Sequence, residues 1–368
     1  MTDKAAVRAE AERLFAFLQA AGGQPVEADI LQPAGTLLDL YGEDIRARAY
    51  VTTDPDRGEL MLRPDFTVPV VQMHMANGAD PARYTYMGEV FRKQEAASNR
   101  ASEYLQVGYE VFDRMAPSVA DAEVFALFSE VLAPLALRPA TGDIGILKAA
   151  VAGLSTTPRR RAALMRHIWR PRRFRALLDR FTGRIATPAT RIAMLANLTN
   201  ATAMELIERA GPLVGVRSAE EIALRATVLE ENARIEPIGM AEAEVLDAIL
   251  GLRETLPNAH AQLLDIAVDL PAMIPAIDRM AERMDAMTAK GVEIEDLSFE
   301  ASYGRTLLEY YDGFVFGFMV EGRPDLPPVA SGGRYDALTR VLGKGREIPA
   351  VGGVIRPELV HMLGGIGK

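Results

Sequence analysis

GEVFRKQEAASNRASEYLQVGYEVFD, residues 88–113, reads as two β-strands joined by a charge-rich loop, and the second strand carries two polar residues, Gln106 and Glu110. Successive strand side chains alternate between faces. Leu105, Val107, Tyr109 and Val111 therefore share one face and belong to a core, while Tyr104, Gln106, Gly108, Glu110 and Phe112 share the other. The amide and the carboxylate lie two same-face steps apart, each step about 7 Å, with a side-chain-free gap at Gly108 between them. Two placements satisfy the alternation: the solvated face of an open antiparallel sheet, or a floor on which a small polar ligand lies.

The expected neighbours favour the floor. Arg92 closes the first strand, and YYDGFVF (310–316) and SGGRYD (331–336) each set a tyrosine beside a glycine. Such donors and acceptors match the ammonium and carboxylate of an amino acid. Upstream, Pro64 and Pro69 restrict the backbone on both sides of residues 65–68, a rigid corner.

Further out, residues 5–20 read as a helix with Ala9, Leu14, Phe15 and Leu18 as its apolar stripe. A second helix over 119–135 opens with Asp121 and Glu123, which suit the positive end of a helix dipole. From about 145 to 290 strand-like alternation almost vanishes, and Ile277, Met280, Met284 and Met287 recur at helical spacing before Gly291. Strand character then returns. The expectation is an α+β fold: an antiparallel sheet flanked by helices, one discontinuous domain over 1–145 and 291–368, and a mostly helical insertion over 146–290.

With 49% hydrophobic and 25% charged residues, the chain matches the globular average, which argues against long disordered tracts. The absence of cysteine excludes disulfides and thiolate sites, and the four histidines show no ligand spacing, so no metal and no cofactor are expected. Residues 1–15 lack the apolar run of a signal peptide, and the most apolar segment, VLAPLALRPA (131–140), is broken far short of the roughly 20 residues that span a bilayer. A cytoplasmic protein without membrane contact is expected. Residues 158–184 hold ten arginines against the single acid Asp179, so this segment carries +9 of a net charge of −9 and the remainder carries −18. A solvated helix face and an acidic partner both fit it; nucleic acid is disfavoured, because only Trp169 and Phe174 are interleaved as stacking platforms.

Taken in order, the motifs resemble the class II aminoacyl-tRNA synthetase core, specifically histidyl-tRNA synthetase. LRPDFTVPV (62–70) resembles that family's Leu-Arg-Pro-Glu-Gly-Thr element, and GEVFRKQE (88–95) with EYLQVGYE (103–110) its motif 2 hairpin. LLEYYDGFVF (307–316) resembles the Arg-Gly-Leu-Asp-Tyr-Tyr histidine-binding loop, and residues 331–360 the glycine-rich segment running into motif 3. The resemblance implies that Asp65, Thr67 and Gln106 hold the α-amino group of histidine, that Glu110 and Tyr311 grip the imidazole, and that Tyr310 and Tyr335 line the pocket. Arg92 is retained and counted with the site, its contact to the ligand carboxylate left open. A carboxylate and a phenol together satisfy both ring nitrogens in either tautomer.

The nucleotide chemistry departs from the family. Leu359 stands at the motif 3 arginine, Ser102 at a loop arginine and Thr306 at the histidine-loop arginine, with Arg305 one position off; Arg92 and Arg100 remain. Fixed cations supply most of the stabilisation of charge developing on phosphate oxygens, so loss of three should abolish adenylate formation. The sequence ends at Lys368, where a synthetase is expected to continue into an anticodon-binding domain. This combination is similar to the regulatory-subunit family of ATP phosphoribosyltransferase. It implies a non-catalytic homodimer within a hetero-oligomer, partnered by the short-form catalytic subunit, with L-histidine as effector in the first step of histidine biosynthesis. The alternatives are a truncated histidine-activating enzyme, distinguished by pyrophosphate exchange, and an RNA-binding scaffold of the same fold. No nucleophile elbow, phosphate loop or paired-histidine metal motif points to another enzyme class.

Overall fold

A computed structural model describes residues 3–35, 49–94, 101–305 and 310–364. The readings on Arg100, Thr306 and Lys368 lie outside the described residues.

In chain order the strands are β1 (Gln24–Pro25), β2 (Leu31–Pro33), β3 (Val51–Asp54), β4 (Gly58–Leu62), β5 (Ala82–Phe91) and β6 (Glu103–Phe112), then β7 (Arg138–Asp143), β8 (Arg253–Thr255), β9 (Ser298–Glu300), β10 (Phe314–Met319), β11 (Ala330–Arg334) and β12 (Ala350–Ile355). Nine form one sheet in the order β1-β5-β6-β12-β11-β10-β7-β9-β8, and β2, β4 and β3 form a separate small sheet. The six central strands from β5 to β7 pair antiparallel, whereas β1 joins β5 and β9 joins β7 in parallel. The opening stretch is the β5–β6 hairpin, with Tyr86 opposite Gly108 and Gly88 opposite Gln106. Strands from the far end of the chain fill the middle: β12 pairs with β6, and β10 with β7.

Both faces of β6 are covered from Gln106 to Phe112, which rejects the open-sheet placement. On one side lies the helix Lys4–Ala20, N-capped by Asp3. It buries Val7, Ala11, Leu14 and Leu18, a stripe at helical period. Leu14 and Leu18 stand where expected, whereas Ala9 is exposed and Phe15 only partly buried, because Ala11 and Val7 complete the buried face one and two turns before Leu14. The helix Pro117–Leu132 packs between the sheet and the helix Ile274–Ala289 and buries Ala120, Val124, Phe125, Phe128, Val131 and Leu132. Its Phe125 and Phe128 meet Phe316 edge-on at 5.7 and 5.6 Å. Aromatic pairs of this geometry are worth about 0.5–1.5 kcal/mol beyond burial. Asp121 is not an exposed dipole partner: it is 2% exposed and accepts charged hydrogen bonds from Arg334 and Arg283.

Between Ile144 and Ala289 the chain is helical except for β8. Ile277, Met280 and Met287 are buried with Met284 partly so, and Gly291 ends the run with φ 78°. β8 pairs with β9 at the edge of the main sheet. Arg283, from the helix Ile274–Ala289, bonds Asp143 at the end of β7 at 2.7 Å. The helical region is thus joined to the sheet by backbone and by buried charge.

Candidate functional site

Glu110 is fully buried, and three hydroxyls donate to it: Thr67 Oγ1 and Tyr86 OH to Oε1 at 3.0 and 2.8 Å, and Tyr335 OH to Oε2 at 2.6 Å. Thr67 opens the helix Thr67–Asn77, with Pro69 in its first turn, where a missing N–H costs nothing. The rigid corner after β4 is therefore a strand-to-helix switch that aims Thr67 at β6. Tyr335 follows β11, and Tyr86 projects from β5 directly opposite Gly108.

Tyr86 corrects the reading of Gly108 as an open gap. A Cβ at Gly108 would stand 2.2 Å from the Tyr86 ring, so the glycine exists to admit that ring. Sequence reasoning missed Tyr86 as a site residue. The signal was present: a glycine in a buried strand calls for a large side chain from its register partner. Phe66 stacks on Tyr86 at 4.4 Å, and Arg63 lies 4.0 Å over Phe66.

Burial pushes the Glu110 carboxyl up from 4.5 to about 7, with the nearby Asp65 charge adding to it, while the hydroxyls of Tyr335, Tyr86 and Thr67 pull it back down. Burial, then the Glu110 charge, raises the phenols of Tyr86, Tyr311 and Tyr335 above their ordinary value. They stay protonated and act as donors. A carboxylate has about four lone-pair sites; three are used, leaving one for an incoming N–H. Tyr310 and Tyr311 meet edge-on at 5.0 Å, and Tyr310 meets Tyr335 at 6.1 Å, so both tyrosines stand beside the Glu110 cluster.

Gln106 is also fully buried, yet neither its amide nitrogen nor its amide oxygen has a hydrogen-bond partner among the described residues. A buried polar group left unpaired costs about 1–3 kcal/mol. Asp65 is 3% exposed and has Arg92 Nη2 at 3.9 Å. Arg92 Nε donates to Pro64 O at 2.7 Å, which fastens the end of β5 to the Asp65 turn. Its charge is felt at Tyr311, so Arg92, Asp65, Glu110 and Tyr311 form one electrostatic group.

A second buried network braces the tyrosines. Asp312, next to Tyr311, accepts from the backbone N–H groups of Asp336 and Ala337, each at 3.0 Å. Arg334 bonds Asp336 and Asp121, and Arg283 carries the chain of charges to Asp143. Asp336 is pushed up to about 6 by burial, against the pull of Arg334.

Two of the departed cation positions, Leu359 and Ser102, are among the described residues. Leu359 lies in the helix Pro357–Gly364 against the core, and Ser102 O accepts from the Arg92 backbone N–H. Arg305 turns to the helical region, where its Nε donates to Ile168 O at 2.7 Å and its guanidinium sits 5.0 Å over Phe174. Among the described residues there is no cluster of three or more metal-ligating side chains, and no helix is long and apolar enough to cross a membrane.

The histidyl-tRNA synthetase family model matches residues 2–235 and 223–360. The ATP phosphoribosyltransferase regulatory subunit of Brucella anthropi is 32% identical over 373 residues, covering 96% of this chain and 97% of that protein. Its counterpart in Agrobacterium fabrum is 32% identical over 349 residues, covering 89% of each. Among solved structures, an ATP phosphoribosyltransferase regulatory subunit/histidyl-tRNA synthetase from Bacillus halodurans superposes with TM-score 0.68 at 18% identity, over 97% of this chain and 78% of that one. A histidine–tRNA ligase subunit from Alicyclobacillus acidocaldarius gives 0.60 at 22% identity, over 100% and 96%. The fold is the class II synthetase-like α+β fold expected from the motifs.

Proposed function

We propose, from the premise that this chain belongs to the ATP phosphoribosyltransferase regulatory subunits within the histidyl-tRNA synthetase family, that it activates a short catalytic subunit and carries L-histidine feedback in the Glu110 pocket. Gln106 carries the reading: a fully buried amide with no partner among the described residues, on the same strand face as a carboxylate with a lone pair to spare. An α-ammonium and an imidazole would satisfy the two. In this reading Asp65, Thr67, Arg92, Gln106, Glu110, Tyr310, Tyr311 and Tyr335 surround the ligand, with Tyr86 fixing the carboxylate.

The same reading makes the chain non-catalytic and cytoplasmic, with residues 1–145 and 291–368 as its synthetase-like core. The departures at Leu359, Ser102 and Thr306 support the absence of adenylate chemistry. Calorimetry of the isolated chain should show L-histidine binding, and pyrophosphate exchange into ATP should stay at background. Co-expression with a short catalytic subunit should yield a complex of raised phosphoribosyltransferase activity. Histidine-dependent exchange that vanishes in Arg92→Ala would replace this reading with a histidine-activating enzyme.

A further inference from the structure

We propose that Arg166, Arg172 and Arg173 form the docking surface for an acidic patch on the catalytic partner, and that Trp169 and Arg305 fasten this surface to the pocket loop. The inference rests on the regulatory reading above and adds to it the place and chemistry of the contact.

The arginine-rich segment is not one uniform solvated face. Several of its members are internal fastenings. Arg160 is buried and donates to the carbonyls of Asn232, Ile235 and Glu236; Arg161 donates to Leu154 O; Arg175 and Arg184 pair with Asp247. Arg166, Arg172 and Arg173 are different: all three are exposed, and among the described residues none of their side chains makes a hydrogen bond or an ion pair. Arg172 and Arg173 also stand in the first turn of the helix Pro171–Phe181, and Arg166 caps the preceding helix one turn of chain away. Cations at a helix N-terminus oppose its dipole, and these repel one another as well. The positive field reaches His167, whose pKa is lowered by burial and then by Arg170, Arg173 and Arg166. Opposing carboxylates would relieve both repulsions.

Protein suits this surface better than nucleic acid. Phe174 is fully buried and Trp169 is half-buried with its indole N–H held by Tyr311 O, so the patch presents no open stacking platform, and the −18 carried by the rest of the chain is met by an extended polyanion but not by a compact acidic patch. The turn also touches the pocket. Between Arg166 and Arg172, Ile168 O accepts from Arg305 Nε at 2.7 Å and Trp169 Nε1 donates to Tyr311 O at 3.2 Å. The pocket loop and the basic turn are therefore bonded at two points, and a partner seated on the turn is one side chain removed from the Tyr311 ring.

The test uses the full chain and a co-expressed short catalytic subunit, with binding measured at low and high salt. Wild-type affinity should fall with salt, and the R166E/R172E/R173E variant should bind on the order of tenfold or more weakly with a flattened salt response. Its melting temperature should not fall, since all three side chains are exposed and glutamates suit the first turn of the helix, and its histidine binding should be unchanged. Lys290→Glu, an equally exposed charge reversal, should bind as wild type. Unchanged affinity of the triple variant, or an equal loss in Lys290→Glu, overturns the surface while leaving the regulatory reading standing. So does a triple variant that loses only RNA retention or only self-association. A wild-type chain that binds no catalytic subunit overturns both.

Discussion

Gly352 and Glu110 are register partners across β12 and β6, and a Cβ on Gly352 would stand 1.5 Å from Glu110 Oε2. The carboxylate occupies the space that any side chain at 352 would need. Gly352→Ala should therefore expel Glu110 from its three hydroxyls, at a cost of about 1–3 kcal/mol for overpacking, and histidine binding should be lost. Thermal melting and calorimetry check the two halves. Wild-type histidine affinity in this variant would remove Glu110 from the site.

The pH dependence of stability should contain contributions of opposite sign, Glu110 and Asp336 on one side and His74 on the other. Glu110 has a folded pKa of about 7, above the ordinary 4.5, so the native state binds the extra proton and stability is lost as pH rises through that window. His74, 2% exposed and stacked on Phe112, is held down at about 4 by burial, so its contribution is lost as pH falls from about 6.5 towards 4. Asp336, pushed up to about 6 by burial, adds to the Glu110 side. In histidine-free buffer, denaturant unfolding from about pH 4 to 7.5 should show, relative to wild type, a slope shifted towards rising stability with pH in Glu110→Gln and towards falling stability in His74→Gln. Parallel curves for both variants would refute the assignment.

Arg283 is 4% exposed and serves Asp121 and Asp143 together. Removing one partner of a buried ion pair typically costs about 3–5 kcal/mol, because the other charge is stranded. Arg283→Met should show a loss of that order in urea unfolding. Pairing it with Asp143→Asn should recover part of the loss.

Trp169 is the chain's single tryptophan, and its indole N–H bonds the backbone of Tyr311. Titration with L-histidine should change its emission saturably. Phenylalanine should bind up to about a hundredfold more weakly, since a phenyl ring offers no N–H to the remaining acceptor site of Glu110. Glu110→Ala should abolish the response without disturbing assembly. An unchanged emission in a chain that binds histidine by calorimetry would place the ligand away from Tyr311.

Period alone revealed the hairpin and the shared face of Gln106 and Glu110, because alternation in a strand is a local property. The apolar stripe of Ile277, Met280 and Met287 was legible for the same reason. What period could not carry was anything set by a partner distant in sequence. Asp121 looked like a surface acid at a helix start, yet Arg334 and Arg283, both more than 150 residues later, make it the hub of a buried network. Tyr86 looked like an ordinary strand residue until Gly108 was read as its socket. Arg305 could be judged displaced from the family position, but its turn towards Ile168 needed the packed helices.

The strand order has a consequence for the newly made chain. β6 and β7 are finished by Asp143, but the strands that belong between them begin only at Phe314. At the usual ribosomal pace of about 5–20 residues per second, roughly 10 to 30 seconds pass before the first of them is made. Through that interval the nascent chain holds two unfinished sheet edges and an unsheltered Glu110, which open it to chaperones and to wrong neighbours. The helical region, translated meanwhile and rich in local contacts, can fold while the sheet waits. The last of the described strands to arrive, β12, brings Gly352 against Glu110, so the Glu110 cluster is walled in only after Ala350–Ile355 has been made.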